Sequence, residues 1–324
     1  MKNKDYLFCT VCQSGVFEIK ALLLASSFRL HDKTQSDLVF GVPAGKLDPI
    51  TKNLAAKLDV KCIDIDTAIE GYPISNKLSL FNKTCSELQA TNHIFMDSDM
   101  LWLRDFEGIS GVNDFDIHLR PGGEKSTRYY KTEEDWRPIY DIFDLSSSSE
   151  KIRAFESDVM ILPYFNAGFI CTSKGNIFAE SWLKVAKSID AKPEIKHKRP
   201  WLDQLALPVT CKLNSLSVGL LDHRYNAPLR LGAKYDDWSV NHYSLLSSLV
   251  QQRKMIAKIV ACLKQLPGIT SLLKNLAERE VAQLKKNHHR QEKSLTGESE
   301  IERSKKNVIE LKALYELATR EKLT

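Results

Sequence analysis

Four short apolar segments, at residues 6–12, 38–42, 60–65 and 93–96, read as strands. The chain between them carries helical patterns. Residues 17–30 place Ile19, Leu22, Leu23, Ser26 and Leu30 at helical spacing, 49–58 begins on a proline, and 78–91 is a third helix. Strands separated by helices of this length pair in parallel through right-handed crossovers. An α/β fold with a Rossmann-like, mainly parallel sheet flanked by helices is expected. Ligands of such sheets bind beyond the carboxyl ends of the strands. In HIFMDSDM (93–100), Asp97 and Asp99 directly follow the fourth strand and so belong on that rim, not in the core.

Two acids one residue apart project to the same side and offer hard oxygen ligands. The pattern alone says little, because Asp64-Ile-Asp66 and Asp114-Phe-Asp116 repeat it. Cys9-Thr-Val-Cys12 also has metal-like spacing, but residues three apart on a strand face opposite ways, so buried structural thiols are expected. Seven scattered cysteines suit a reducing compartment. The longest apolar runs, 21–25 and 159–162, are too short to span a bilayer, and no secretory leader is evident. A soluble cytoplasmic protein follows as the expectation.

After a strand beginning at 114–119, residues 122–157 break the pattern with two glycines, an acidic helical piece at 133–142 and a serine run. This long, partly mobile excursion reads as a substrate lid or a disordered surface insertion. Ordered sequence resumes at 159–173, followed by helices at 177–187 and 201–207 and a turn-rich, aromatic stretch over 218–243.

Residues 93–100 have downstream company that the other acid pairs lack: FNAGFICTS (165–173), WLDQLAL (201–207), LDHRYNAP (221–228) and NHYS (241–244). This ordered set resembles the GT-A nucleotide-sugar glycosyltransferases, most closely the family-8 type, over about residues 5–245. The resemblance implies a divalent ion on Asp97, Asp99 and His242, with Asp97 also touching the donor's ribose. A carboxylate–imidazole set favours Mn²⁺, with Mg²⁺ the alternative. The ion would neutralise charge on the departing diphosphate. The same resemblance gives donor contacts to Thr10 and Val11 in the first strand's exit, to Ser98, to Lys77, and to the Asn166-Ala167-Gly168 turn beside the sugar. Read alone, Lys77 is equally a solvated lysine.

Asp203 and Gln204 match the acidic-amide step near the reacting carbon. An inverting enzyme would use Asp203 as general base, while a retaining one would use Gln204 or Asp203 to steady an oxocarbenium ion. The family-8 likeness favours retention, and Asp203 could instead cap its helix. The family's Gly and Lys-Pro-Trp after the metal histidine are absent here. Either another residue, such as Arg230 or Lys234, holds the phosphates, or the branch is more distant. The expected donor is a UDP-sugar and the acceptor a glycan or lipid-linked glycan. The alternatives are a sugar-phosphate nucleotidyltransferase, for which no Gly-rich phosphate loop follows the first strand, and a non-catalytic scaffold.

Residues 1–244 form the expected GT-A domain and 245–324 a basic helical region. From Arg253 onward there are 16 Lys/Arg and 9 Glu, against 30 bases and 32 acids before it. One helix is expected at 245–263, broken at Pro267-Gly268, and another at 269–288. The last places Ile301, Val308, Leu311, Tyr315 and Ala318 near heptad spacing. This tail either lies on the anionic inner face of a membrane or packs on the domain or on a second copy. Interleaved Glu and few aromatics argue against nucleic acid.

Overall fold

The computed structural model describes residues 4–34, 36–229, 237–291 and 298–320. Alternation builds its first half: β1 (Lys4–Val11), α1 (Val16–His31), β2 (Asp37–Pro43), α2 (Pro49–Lys57), β3 (Val60–Ile65), α3 (Asn76–Glu87) and β4 (Ala90–Met96). β5 (Met100–Trp102), β6 (Ile117–Pro121), α4 (Glu133–Tyr140), β7 (Ile152–Arg153), β8 (Met160–Ile161) and β9 (Phe165–Thr172) follow. Then come α5 (Gly175–Asp190), α6 (Leu202–Leu213), β10 (Val218–Leu220), β11 (Ala227–Pro228) and β12 (Val240–His242). The chain closes with α7 (Leu246–Gln251), α8 (Arg253–Lys264), α9 (Ile269–Gln291) and α10 (Glu298–Arg320).

The main sheet has seven strands in the order β10-β6-β9-β4-β1-β2-β3. It is parallel except at β9, which runs against both β4 and β6. The first four strands pair in parallel as expected, and β9 is the exception that makes the sheet mainly rather than wholly parallel. A period-two apolar run reads alike in both directions, so the reversal has no local signal. The reversal puts the start of β9 at the same rim as the ends of β4 and β6.

Each sheet face has its own core. Phe8 and Cys12 join Leu22, Leu23 and Phe28 of α1 on one face. Leu7 and Cys9 join Phe81, Phe178, Trp182 and Leu205 on the other. The two cysteines of the CxxC thus pack apart, and burial pushes both thiols up, Cys9 to about 12. The tail's apolar side belongs to the α1 core: Leu246, Ile259, Leu263, Leu272, Leu276, Leu311, Leu314 and Ala318 are all in it. No single helix is long and apolar enough to cross a membrane among the described residues. One bent pair, 253–264 with 269–285, passes by composition, with a 105° bend.

Three expectations are corrected. The 245–263 helix divides into α7 and α8. In α10, Leu314 and not Tyr315 faces the core, and Tyr315 is 38% exposed. The 122–157 excursion is not a disordered surface insertion, because part of it packs into the core. Tyr130, Trp136, Ile139, Tyr140 and Ala154 are buried in the β9–α6 core. Trp136 Nε1 donates to the Tyr130 carbonyl at 3.1 Å. Ile142, Phe143, Leu145 and Ile152 pack half-buried against the same core, and sequence polarity around these side chains masks them.

Candidate active site

Asp97, Ser98 and Asp99 form the turn between β4 and β5, all half-buried. Asp97 N–H donates to the Gly168 carbonyl at 2.7 Å, fixing the turn against β9. β5 pairs antiparallel with β12, setting Met100 opposite His242. Tyr243 N–H donates to the Asp99 carbonyl at 3.0 Å. His242 Nε2 consequently lies 3.1 Å from Asp99 Oδ1. One ligand atom from each of Asp97, Asp99 and His242 falls within 4.8 Å of the others. Two carboxylates and an imidazole in that compass are compatible with a divalent ion.

A hydrogen-bond chain sets the histidine tautomer. Gly168 N–H donates to Asn166 Oδ1 at 2.9 Å, so that oxygen is an acceptor. Asn226 must therefore present its amino group to it, at 2.7 Å. This turns Asn226 Oδ1 towards His242 Nδ1, 2.9 Å away. Nδ1 carries the proton, and the Nε2 lone pair points at Asp99. A lone pair facing a carboxylate at this distance needs a cation between them, either a second proton or a metal ion. Outer partners of this kind orient metal-binding histidines. Asn226 is fully buried. Gly168 is required: a Cβ there would lie 2.9 Å from Asn166 Oδ1 and 3.0 Å from His242 Cε1.

Lys77 lies in the first turn of α3 and is buried, not solvated. Its Nζ bridges Asp97 Oδ1 at 2.8 Å and Asp203 Oδ2 at 2.9 Å. Burial alone would lower its pKa, but the two carboxylates outweigh that and hold it above the ordinary lysine value. Asp97 moves upward because burial, with Asp99 adding, exceeds what Lys77 and His242 return. Asp99 goes the other way. Burial would raise it, but the His242 charge and hydrogen bond carry it down to about 2.

Asp203 is 2% exposed in the first turn of α6. It does not cap the helix, since Trp201 holds that position and Asp203 spends its carboxylate on Lys77. Tyr72 Oη donates to Asp203 Oδ1 at a long 3.5 Å. Gln204 beside it is half-buried; its backbone N–H donates to the Trp201 carbonyl at 3.0 Å, and its side-chain amide has no partner among the described residues. Thr10 and Val11 end β1. Cys9 opposite Phe95 brings this end level with the 97–99 turn. Thr10 Oγ1 is buried with no partner, and Val11 is half-buried. Ala167 is buried in β9 between Asn166 and Gly168. Arg230 and Lys234 lie outside the described residues.

The other two acid pairs do different work. Asp116 Oδ2 accepts from Ser217 N–H and Oγ, both at 2.9 Å, while Asp64 and Asp66 are exposed on the β3 exit. Sequence reasoning missed Lys20. It is buried in α1, donates to the Ser244 carbonyl at 2.7 Å and lies 3.9 Å from Asp99 Oδ2. Its signal was a lysine entering the apolar run IKALLLA. Asn226, inside LDHRYNAP, drew no role for want of a visible partner.

The sheet, its rim and the acid–imidazole cluster together make an α/β protein with a mainly parallel sheet and a candidate cation centre at the carboxyl edge. The chain belongs to the family described as the Rhodobacterales glycosyltransferase domain, whose sequence model matches residues 8–214. It is a glycosyltransferase. Among solved structures it is similar to the apo crystal structure of mouse xyloside xylosyltransferase 1. The identity is 15%, the TM-score 0.47, and the match covers 74% of this chain and 97% of that one. No curated protein matches it.

Proposed function

We propose that the protein moves a sugar from a nucleoside-diphosphate sugar, a UDP-sugar by preference, to a glycan or lipid-linked glycan acceptor. The observation that carries this reading is the convergence of Asp97, Asp99 and His242, with His242 Nε2 turned towards Asp99. Those three residues would hold Mn²⁺, or Mg²⁺ in its place. When bound, the ion supplies charge stabilisation for the diphosphate leaving group.

The chain's own residues divide the remaining work. Lys77 keeps Asp97 and Asp203 from repelling each other and holds both in place. Asp203 is committed to Lys77, which leaves it poorly placed to collect an acceptor proton. Gln204 has an uncommitted amide whose carbonyl can face a cationic anomeric carbon. This division, with the family-8 resemblance of the motifs, supports retention. Thr10 and Val11 at the β1 end would meet the nucleotide, Thr10 through its backbone, since its hydroxyl is fully buried.

The test is nucleotide release from a panel of UDP- and GDP-sugars, with and without Mn²⁺, and anomeric assignment of the product by NMR. Asp99→Ala should lower turnover on the order of 10² or more, with the fold retained. Wild-type turnover in Asp99→Ala, or full activity in a chelator, would sink the metal assignment.

A further inference from the structure

The 122–157 segment and the loop that enters α6 meet beside the candidate site. β6 ends at Pro121 on the same rim as β4, and a short 3₁₀ turn (Glu124–Thr127) then brings the chain to Arg128 and Tyr129. The loop at 191–201 ends at Trp201, the N-cap of α6. Asp203 lies two residues further on, and Gln204 N–H donates to the Trp201 carbonyl at 3.0 Å. Tyr72 Oη reaches both the Pro200 carbonyl and Asp203 Oδ1. The end of this loop is therefore tied to the residues read above as facing the sugar.

Four side chains gather there. The Tyr129 and His197 rings stack with centroids 4.1 Å apart and planes 8° apart. Arg128 Cζ lies 4.7 Å from the Tyr129 ring centroid and 5.1 Å from that of Trp201. Those two rings are tilted by 39° with centroids 6.2 Å apart. None of the four is buried: Arg128 and His197 are exposed, Trp201 is half-buried and Tyr129 is 39% exposed. The polar partners of Arg128 among the described residues are the two ring faces, which leaves its N–H donors without an acceptor.

The stack is not what holds the loop. Tyr130 Oη donates to the Lys196 carbonyl at 2.6 Å, and Lys198 Nζ donates to the carbonyls of Ile189 at 3.2 Å and Asp190 at 2.6 Å. Arg199 adds a two-pronged pair with Asp190 at 2.9 and 2.7 Å. A loop fixed by these bonds presents aromatic surface and a stacked guanidinium to solvent, as a binding surface does. Ring surface suits the C–H face of a sugar, and a flat guanidinium grips a carboxylate or phosphate through paired hydrogen bonds. The surrounding charge agrees in sign. Residues 124–131 and 192–199 hold seven Lys or Arg against two Glu. The acids that follow, Glu133 to Asp135, sit in the first turn of α4, where a helix N-terminus favours them.

We infer that Arg128, Tyr129, His197 and Trp201 form the acceptor subsite, and that the acceptor is a glycan whose sugar at this point carries an anionic group. The rings carry the sugar and Arg128 holds its charge. The inference rests on the glycosyl-transfer reading above, since the sugar seated here is the one extended beside Gln204.

The test is saturation-transfer NMR on the full-length protein without donor. The probes are methyl glycosides of glucose and galactose, each as the neutral sugar, the uronic acid and the 6-phosphate. An acidic form should bind about 10-fold or more tightly than its neutral counterpart, with saturation on the ring C–H protons. Whether the uronic acid or the 6-phosphate leads identifies the anion. Arg128→Gln should abolish the preference, and Tyr129→Ala should weaken every probe. Both side chains are exposed, so both variants are expected to fold. Equal binding of acidic and neutral forms, no binding of any probe, or a preference that survives Arg128→Gln overturns the inference. Donor turnover of the wild type with water as acceptor is measured separately. Its absence sinks the transfer reading, whereas turnover without an acid preference sinks the acceptor assignment alone.

Discussion

Single residues set the state of the site. Asn226 is fully buried, and its hydrogen bond to His242 Nδ1 fixes the tautomer of the ring whose Nε2 faces Asp99. Asn226→Leu should keep the volume, lose the proton acceptor at Nδ1, and weaken Mn²⁺ binding about 10- to 100-fold. Calorimetry checks this, and an unchanged affinity would show that the tautomer is set elsewhere. Lys77 is the second such residue. It is 8% exposed and neutralises two carboxylates that would otherwise share one buried volume. Removing one partner of a buried ion pair leaves uncompensated charge. Lys77→Met is therefore expected to cost about 3–5 kcal/mol in chemical denaturation at neutral pH. A loss below 1 kcal/mol would mean that water or protonation already relieves the acids. The motif residues themselves were visible in the chain as 97, 99, 166, 203 and 242. Lys20 and the bridging role of Lys77 were not, because a buried lysine and a solvated one look the same until the opposing acids are placed.

Elements carry those residues to one point. β4 delivers the acid pair to the rim, β9 reversed delivers Asn166 and Gly168, and the β5–β12 ladder delivers His242. Strands 60–65 and 38–42 were legible almost to the residue from their apolar runs. The direction of β9 and the β5–β12 pairing were not, since β5 and β12 have three residues each and carry no periodicity. The 122–157 segment shows the same limit at larger size. Its glycines and serines dominate the pattern, while Trp136 and Tyr140 supply the burial. Trp136→Ala should cost about 3–5 kcal/mol, read from the denaturant midpoint. A cost near zero would restore the reading of this segment as a loose insertion.

At the scale of the molecule, the sheet has a core on each face, and the tail closes one of them. α7 to α10 contribute Leu246, Ile259, Leu272 and Leu311 to the core that also holds α1. Their positive charge is outward, as expected of a helical pair with one apolar side. A chain ending at Ser244 would expose Leu22, Leu23 and the buried Lys20 to water. It should lose cooperative unfolding and elute as aggregate in gel filtration. A monodisperse, cooperatively melting product would show the tail to be a separate layer.

The sequence by itself determined the alternating α/β architecture, the rim position of Asp97 and Asp99, and the chemical types able to meet a diphosphate. These depend on local periodicity and on where a polar residue interrupts an apolar run. Only the tertiary structure decided that Asp99 and His242 touch, that Lys77 spans two acids, and that α10 joins the core around α1. The reason is physical. A buried charge must be matched by groups that the chain brings from far away, and the register of short strands is set by packing, which no local pattern encodes.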